Sequence, residues 1–292
     1  VVIGHFFKDI NVPLWIPVSY SLFVFGFSSA FFTSIKYKSD FSIGLFWKNK
    51  LQRLGAQLFV VNIFLLVLFL FMKKTNIWSW QTAVSAFGLT GLLNWFNIPN
   101  HSPFGRGLWF FTLLLIFYLT YPAIELLNRN KISSYVFTFV CAICFSLLHY
   151  IRPMGHMMWF TSFAFVFGAF IARNSINMHR VISLLLATVS IILMLFLNMY
   201  SNIKSFNYFL ILVTSVSIVL WLINIRLPRF IFNPLLILSG SVLEIYFIHT
   251  YLFIRFHHFH QSINFIISLT LIVCTSLLLS WIAGRFQSIK LK

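Results

Sequence analysis

Residues 36–53 read KYKSDFSIGLFWKNKLQR, with Lys36, Lys38, Lys48, Lys50 and Arg53 set against one acid, Asp40. An apolar run, Leu14 to Ile35, ends just before this stretch, and another, Leu54 to Met72, starts just after it. Each run is about long enough to cross the ~30 Å hydrocarbon core of a bilayer. The basic stretch therefore reads as a connection between two spans. Cationic connections stay on the cytoplasmic face, so this one orients the chain.

The composition agrees with that reading. The chain is 60% hydrophobic and only 9% charged, with 38 Phe among 292 residues, whereas soluble domains carry roughly 25% charged residues. A polytopic integral membrane protein follows, with the lipid bilayer as its surroundings. Backbone polar groups in lipid must be satisfied within the spanning element, so the fold class is all-α. The acids are Asp9, Asp40, Glu125 and Glu244, which leaves a net charge of +17. Such a balance elsewhere suggests nucleic acid. Here the Lys and Arg fall singly or in pairs between apolar runs, with no basic face to follow a phosphate backbone, and nucleic-acid binding is excluded. Cys141, Cys144 and Cys274 lie in apolar runs. Cys141 and Cys144 share a helix face but have no base or metal partner nearby, so they read as packing.

The chain opens with VVIGHFF, expected to be the last part of a transmembrane helix whose beginning lies upstream, closed by Lys8, Asp9 and Asn11. Pro13 and Pro17 precede the second span, where Gly26, Ser28, Ser29 and Ala30 let a neighbouring helix come close. Residues 78–107 are harder to place. They contain Gln81, Gly88, Thr90, Gly91 and Asn94 and end in NIPNHSPFGRG, which is polar and rich in turn formers. If they form one outer segment, Lys8, Lys73, Lys74, Arg106, Arg152, Lys204 and Arg255 fall outside. The other fourteen of the 21 Lys and Arg then fall inside. A full crossing would instead put most later charges outside, against the positive-inside rule. The outer segment is therefore interfacial or re-entrant, with Trp78, Trp80, Trp95 and Phe96 at the membrane–water boundary. Further spans at 107–127, 133–151, 157–173, 180–200, 206–225, 234–254 and 263–284 give about ten helices, packed as one membrane-embedded domain over residues 1–292.

Polar side chains within spans are costly and thus candidates for function. His5 lies near the outer end of the first span. Glu244, Tyr246 and His249 lie together in LSGSVLEIYFIHTYLF. At ~1.5 Å per residue His249 stands ~20 Å along its helix, at a depth similar to His5, and shares a face with Tyr246. Glu244 is about 140° round from His249 and need not pair with it. It can equally be a single polar tie between helices. Histidine suits general-base work near neutral pH. Glu125 lies four residues from Arg129 and reads as a structural pair. His257, His258 and His260 read as a wet loop, and no metal site is expected.

Four pieces of the chain, in order, resemble the membrane-bound acyltransferase family 3, which O-acetylates bacterial surface polysaccharides. VVIGHFF is similar to the end of the family's first helix, with its essential histidine at His5. FVFGFSSAFF followed by KNKLQRLGA is similar to the family's F-x-S-G-F helix and its basic pair, here Lys50 and Arg53. Lys at position 50 departs from the family's Arg, and with it goes the bidentate grip on phosphate. GLWFFTLLLIFYLTYP matches through Trp109, Tyr118 and Pro122, and SGSVLEIYFIHTYLF through Glu244, Tyr246 and His249. The family's first-helix arginine would precede Val1.

The resemblance implies an O-acyltransferase of a multi-pass bacterial plasma membrane protein. Acetyl-coenzyme A, or another acyl-coenzyme A, would be the donor and a carbohydrate the acceptor. The basic stretch is then either a positive-inside anchor alone or also the site where Lys48, Lys50 and Arg53 meet the donor's phosphates. His5 would act as general base or carry the acyl group transiently, with Glu244 and His249 beside it in the catalytic set. Trp109, Tyr118 and Tyr246 would help hold substrate. A transporter or flippase for a polysaccharide intermediate, with His5, Glu244 and His249 lining its path, suits the same helices.

Overall fold

The structure is a computed structural model and describes residues 1–7, 14–105, 108–152, 154, 157–200 and 207–289. Lys8, Asp9, Asn11, Pro13, Arg106, Lys204, Lys290 and Lys292, all used in the sequence reading, lie outside the described residues. Thirteen helices are described: α1 (Val2–Phe6), α2 (Trp15–Lys36), α3 (Ile43–Phe71), α4 (Trp80–Ala86), α5 (Thr90–Trp95), α6 (Trp109–Leu127), α7 (Lys131–Ile151), α8 (Met158–Asn174), α9 (Arg180–Tyr200), α10 (Asn207–Ile223), α11 (Arg229–Ser239), α12 (Val242–Ile248) and α13 (Gln261–Ile289). There is no strand among the described residues, and the protein is an all-α polytopic membrane protein. The helices α2, α3, α6, α7, α9 and α13 are long and apolar enough to cross a bilayer, and a seventh span results if α11 and α12 count as one bent element.

Residues pack into two compact units, with the division falling inside α6. The first comprises residues 9–41 and 119–226. Its core is aromatic, with Phe23, Phe27, Phe160 and Phe163 buried together with Tyr208 and Ile211. Helices α2 and α8 approach closely because glycines meet backbone at the crossing. A Cβ at Gly26 would stand 2.9 Å from the Thr161 carbonyl oxygen, and one at Gly168 only 2.3 Å from that of Phe27. This is the small-residue approach expected for α2. A polar network closes one end of the unit. Glu125 is 1% exposed and pairs with Arg173 at 3.0 Å, not with Arg129. Arg173 also donates to the Lys38 carbonyl, and Tyr121 bonds both Glu125 and Ser34. Sequence spacing favoured Arg129, but burial turns the carboxylate inward, where an arginine from a different helix reaches it.

The second unit comprises residues 2–8, 42–118 and 227–292. Its long helix α3 corrects the reading of the basic stretch. The helix begins at Ile43, behind an extended Ser42, so Lys48, Lys50 and Arg53 ride on its first turns and are not in a connecting loop. After Gly44 nothing in IGLFWKNKLQR breaks a helix, so it continues past the apolar run into the polar region.

Residues 78–107 do not form a spanning helix. They make two short ones, α4 and α5, beside α3. The side chain of Asn62, nine residues before the end of α3, donates to the carbonyl of Ala86 at the end of α4. Nine residues are ~13 Å of helix, so the end of α4 lies alongside α3 well short of that helix's end. The turn between α4 and α5 needs its freed backbone groups satisfied. Thr112 on α6 does this, its hydroxyl accepting from Gly91 N–H at 2.8 Å and donating to the Gly88 carbonyl at 2.8 Å. Trp78, Trp80, Phe87 and Phe96 remain exposed along the segment. Thr112→Val keeps the side chain's shape and removes both bonds, leaving two buried groups unpaired at ~1–3 kcal/mol each. The variant is expected to unfold at lower temperature in detergent and to be cut faster by protease within residues 78–107.

The expected continuous span over 234–254 is also corrected. It breaks at Gly240–Ser241, where α11 and α12 meet at 59°, and helix stops at Ile248. Pro234 and Gly240 weaken the ladder here. Side chains of α13 take up the released backbone groups. Ser280 bonds the Gly240 carbonyl, Ser268 bonds both N–H and carbonyl of Ile254, and Asn264 does the same for Phe256.

Candidate active site

Five elements of the second unit, α1, α3, α6, α12 and the chain after α12, bring the site residues into place. Helix α1 is held by Arg255, which donates to the Phe6 carbonyl at 2.9 Å and lies over the Phe6 ring. Phe6 itself packs edge-on against Phe253 and Phe265. This anchoring sets His5 against His249, with ring centroids 5.2 Å apart. The sequence reading expected the two histidines at similar depth along a straight helix; here α12 is bent by 59° from α11. The contact arises from the packing of α1.

His249 is fully buried. Its Nδ1 lies 2.7 Å from the Tyr246 carbonyl oxygen. A carbonyl can only accept, so Nδ1 carries the proton and Nε2 holds the lone pair. That Nε2 is buried and has no hydrogen-bond partner among the described residues. His5 is half-buried. Of the two imidazoles, His5 is the more exposed.

Glu244 faces elsewhere. Its Oε1 accepts from Gln57 of α3 at 2.9 Å, a buried tie between α12 and α3. Tyr246 turns to α6, where its hydroxyl accepts from the Phe110 N–H at 3.1 Å, and the two rings pack edge-on. Helix α6 thus braces the segment that carries His249. Trp109, Tyr118 and Tyr246 are all largely buried, so in the described structure these aromatics pack the unit.

On α3, Phe46, Lys50, Leu54 and Gln57 recur at helical spacing on one face. Lys50 is turned inward, its ammonium 3.9 Å from the centroid of the Tyr118 ring, a cation–π contact. Lys48 and Arg53 are exposed beside it. A cavity of about 470 Å³ opens next to Arg53 between α3 and α13, lined by Leu51, Gln52, Gly55, Phe59 and Phe286. Sequence reasoning missed Gln57, Thr112 and Arg255. Gln57 and Thr112 stand out as polar residues within apolar runs, but nothing in the sequence names their partners.

A family model described as Acyltransferase domain, that of acyltransferase family 3, matches residues 1–285. The chain belongs to this family. No curated protein and no solved structure matches it. It is a membrane acyltransferase, and the arrangement can be judged by what acyl transfer needs. A hydroxyl acceptor must lose a proton as it attacks, and a neutral imidazole serves that step. In the His5–His249 pair one imidazole is half-buried and the other fully buried, with the rings in contact. His257, His258 and His260 are exposed on the loop before α13, and no group of three His, Cys, Asp or Glu converges as a metal site among the described residues.

Proposed function

We propose that this acyltransferase moves an acetyl or other short acyl group from cytoplasmic acyl-coenzyme A to a hydroxyl of a cell-surface or exported polysaccharide, in a bacterial plasma membrane. The observation that carries the reading is the contact between accessible His5 and buried His249 in a chain of this family. His5 takes the proton of the sugar hydroxyl as its oxygen attacks the thioester carbonyl. The new C–O bond forms, the C–S bond breaks, and the sulfur of coenzyme A leaves and takes up a proton. Lys50 and Arg53, with Lys48 nearby, meet the donor's phosphates at the start of α3. Glu244 holds α12 to α3, and the segment over residues 78–107 receives the carbohydrate.

The two ends are far apart. Phe69, sixteen residues after Arg53, packs against Tyr251, two residues past His249. That separation is ~24 Å along α3, so the donor's phosphates and its thioester lie at opposite ends of the site, and the thioester is presented to the acceptor at the His5 end.

The test is acyl transfer from acetyl-coenzyme A to isolated surface glycan by purified protein. Arg53→Glu is expected to raise the KM for acetyl-coenzyme A at least tenfold, since a charge-assisted contact is worth ~1.5–3 kcal/mol. Arg229→Glu, an exposed charge at the start of α11, is the control and leaves KM unchanged. Equal effects from both would reduce the basic stretch to a membrane anchor. No transfer by the unaltered protein to any glycan would favour a transporter.

A further inference from the structure

A second cavity lies at the other end of the unit from the basic turns of α3. It measures about 330 Å³, and Lys74, Thr75, Thr90, Asn94 and His101 are among its lining. This is within the ~300–1,000 Å³ range of small-molecule sites. The lining is polar and, from Lys73 to Trp109, the sequence contains no Asp or Glu. Beneath the cavity is a buried hydroxyl: Thr90 is 1% exposed, and its Oγ1 has no hydrogen-bond partner among the described residues. Gly105, at φ +90°, closes over that hydroxyl, and a Cβ there would come within 2.6 Å of it. A buried unpaired hydroxyl costs free energy unless a ligand or water completes it.

Two chains of contacts run from the cavity to the residues around His249. Phe69 packs edge-on against Phe104, which adjoins the cavity wall, at 4.9 Å, and against Tyr251 at 5.4 Å. Through Thr112, α5 is tied to α6, whose Phe110 N–H donates to the Tyr246 hydroxyl. Amide and hydroxyl groups suit sugar hydroxyls, and an ammonium without a neighbouring carboxylate suits an anionic substituent.

We infer that this cavity binds an acidic carbohydrate, a sugar unit bearing a carboxylate, and so selects an acidic polysaccharide as the acceptor. The inference rests on the acyl-transfer reading above and adds the acceptor's charge and the place where it docks. Lys74 pairs with the carboxylate, while Asn94 bonds a ring hydroxyl.

The experiment measures binding of an oligogalacturonate to the full chain in detergent, without donor, beside its uncharged methyl ester and inorganic phosphate. Oligogalacturonate is expected to bind at least tenfold more tightly than either. Lys74→Gln should weaken it about ten- to hundredfold, and Asn94→Ala severalfold. Both side chains are exposed, so neither change should impair folding. In the transfer assay the same variants should raise the KM for an acidic acceptor while the KM for acetyl-coenzyme A stays constant. Equal binding of the methyl ester, equal binding of phosphate, or no loss in Lys74→Gln overturns the inference. Transfer that continues with an unchanged acceptor KM in both variants sinks the cavity and leaves the acyltransferase reading standing. Lys74-dependent oligogalacturonate binding without any transfer keeps the cavity and sinks the transfer reading.

Discussion

His5→Ala is expected to lower acyl transfer ~10²–10⁴-fold at matched membrane abundance, the range a positioned general base contributes. His5 is the accessible member of the pair, and its ring lies 5.2 Å from that of His249. Without an imidazole there, the attacking hydroxyl must lose its proton to water. Donor binding should persist, since Lys50 and Arg53 stand ~24 Å away along α3. His249→Ala is expected to be less damaging. His249 is fully buried, and its loss leaves the His5 imidazole in place. Comparison of the two variants in a single transfer assay checks the assignment. Full activity in His5→Ala would overturn it, and a greater loss in His249→Ala would exchange the two roles.

Gly168→Val is expected to be the most destabilising single change in the first unit. Its Cβ would fall 2.3 Å from the Phe27 carbonyl oxygen and 3.0 Å from the carbonyl carbon. The obstacle is backbone in the middle of α2, so no side chain can swing aside and the helices must separate. Overpacking of this kind costs ~1–3 kcal/mol or more, which corresponds to a fall in unfolding temperature of about 2–12 °C. Gly284→Val in α13 is the matched control, because a Cβ there meets nothing within 4 Å. Its melting temperature should be unchanged or slightly higher, as Val is a better helix former than Gly. Similar losses in both would show that helix propensity, not the α2–α8 crossing, governs the effect.

Sequence and structure each decided different things here. Fold class was legible in the sequence because the bilayer imposes it: long apolar runs between charged residues can satisfy their backbone in lipid only as helices. The absence of a spanning helix over residues 78–105 was legible for a related reason, since Gly88, Asn94 and the turn-rich stretch around Asn100 cannot make a continuous apolar helix. Local pattern also brought His5 and His249 to notice, as polar groups in costly places, and Lys50 and Arg53 as part of a basic stretch between apolar runs.

Partners were another matter. Glu125 has Arg129 one turn away, yet it pairs with Arg173 of α8. The break after Gly240 could be suspected, but its rescue by Ser280, Ser268 and Asn264 joins residues up to forty positions apart. The free Nε2 of His249 depends on a carbonyl one turn back and on a ring from the far end of the chain. Hydropathy and spacing act along the chain over a few turns, whereas ion pairs, tautomers and cavities depend on which faces meet across it. The sequence by itself therefore determined that this protein is a helical membrane protein and which side chains were out of place in lipid. Only the tertiary structure decided what each of those side chains touches.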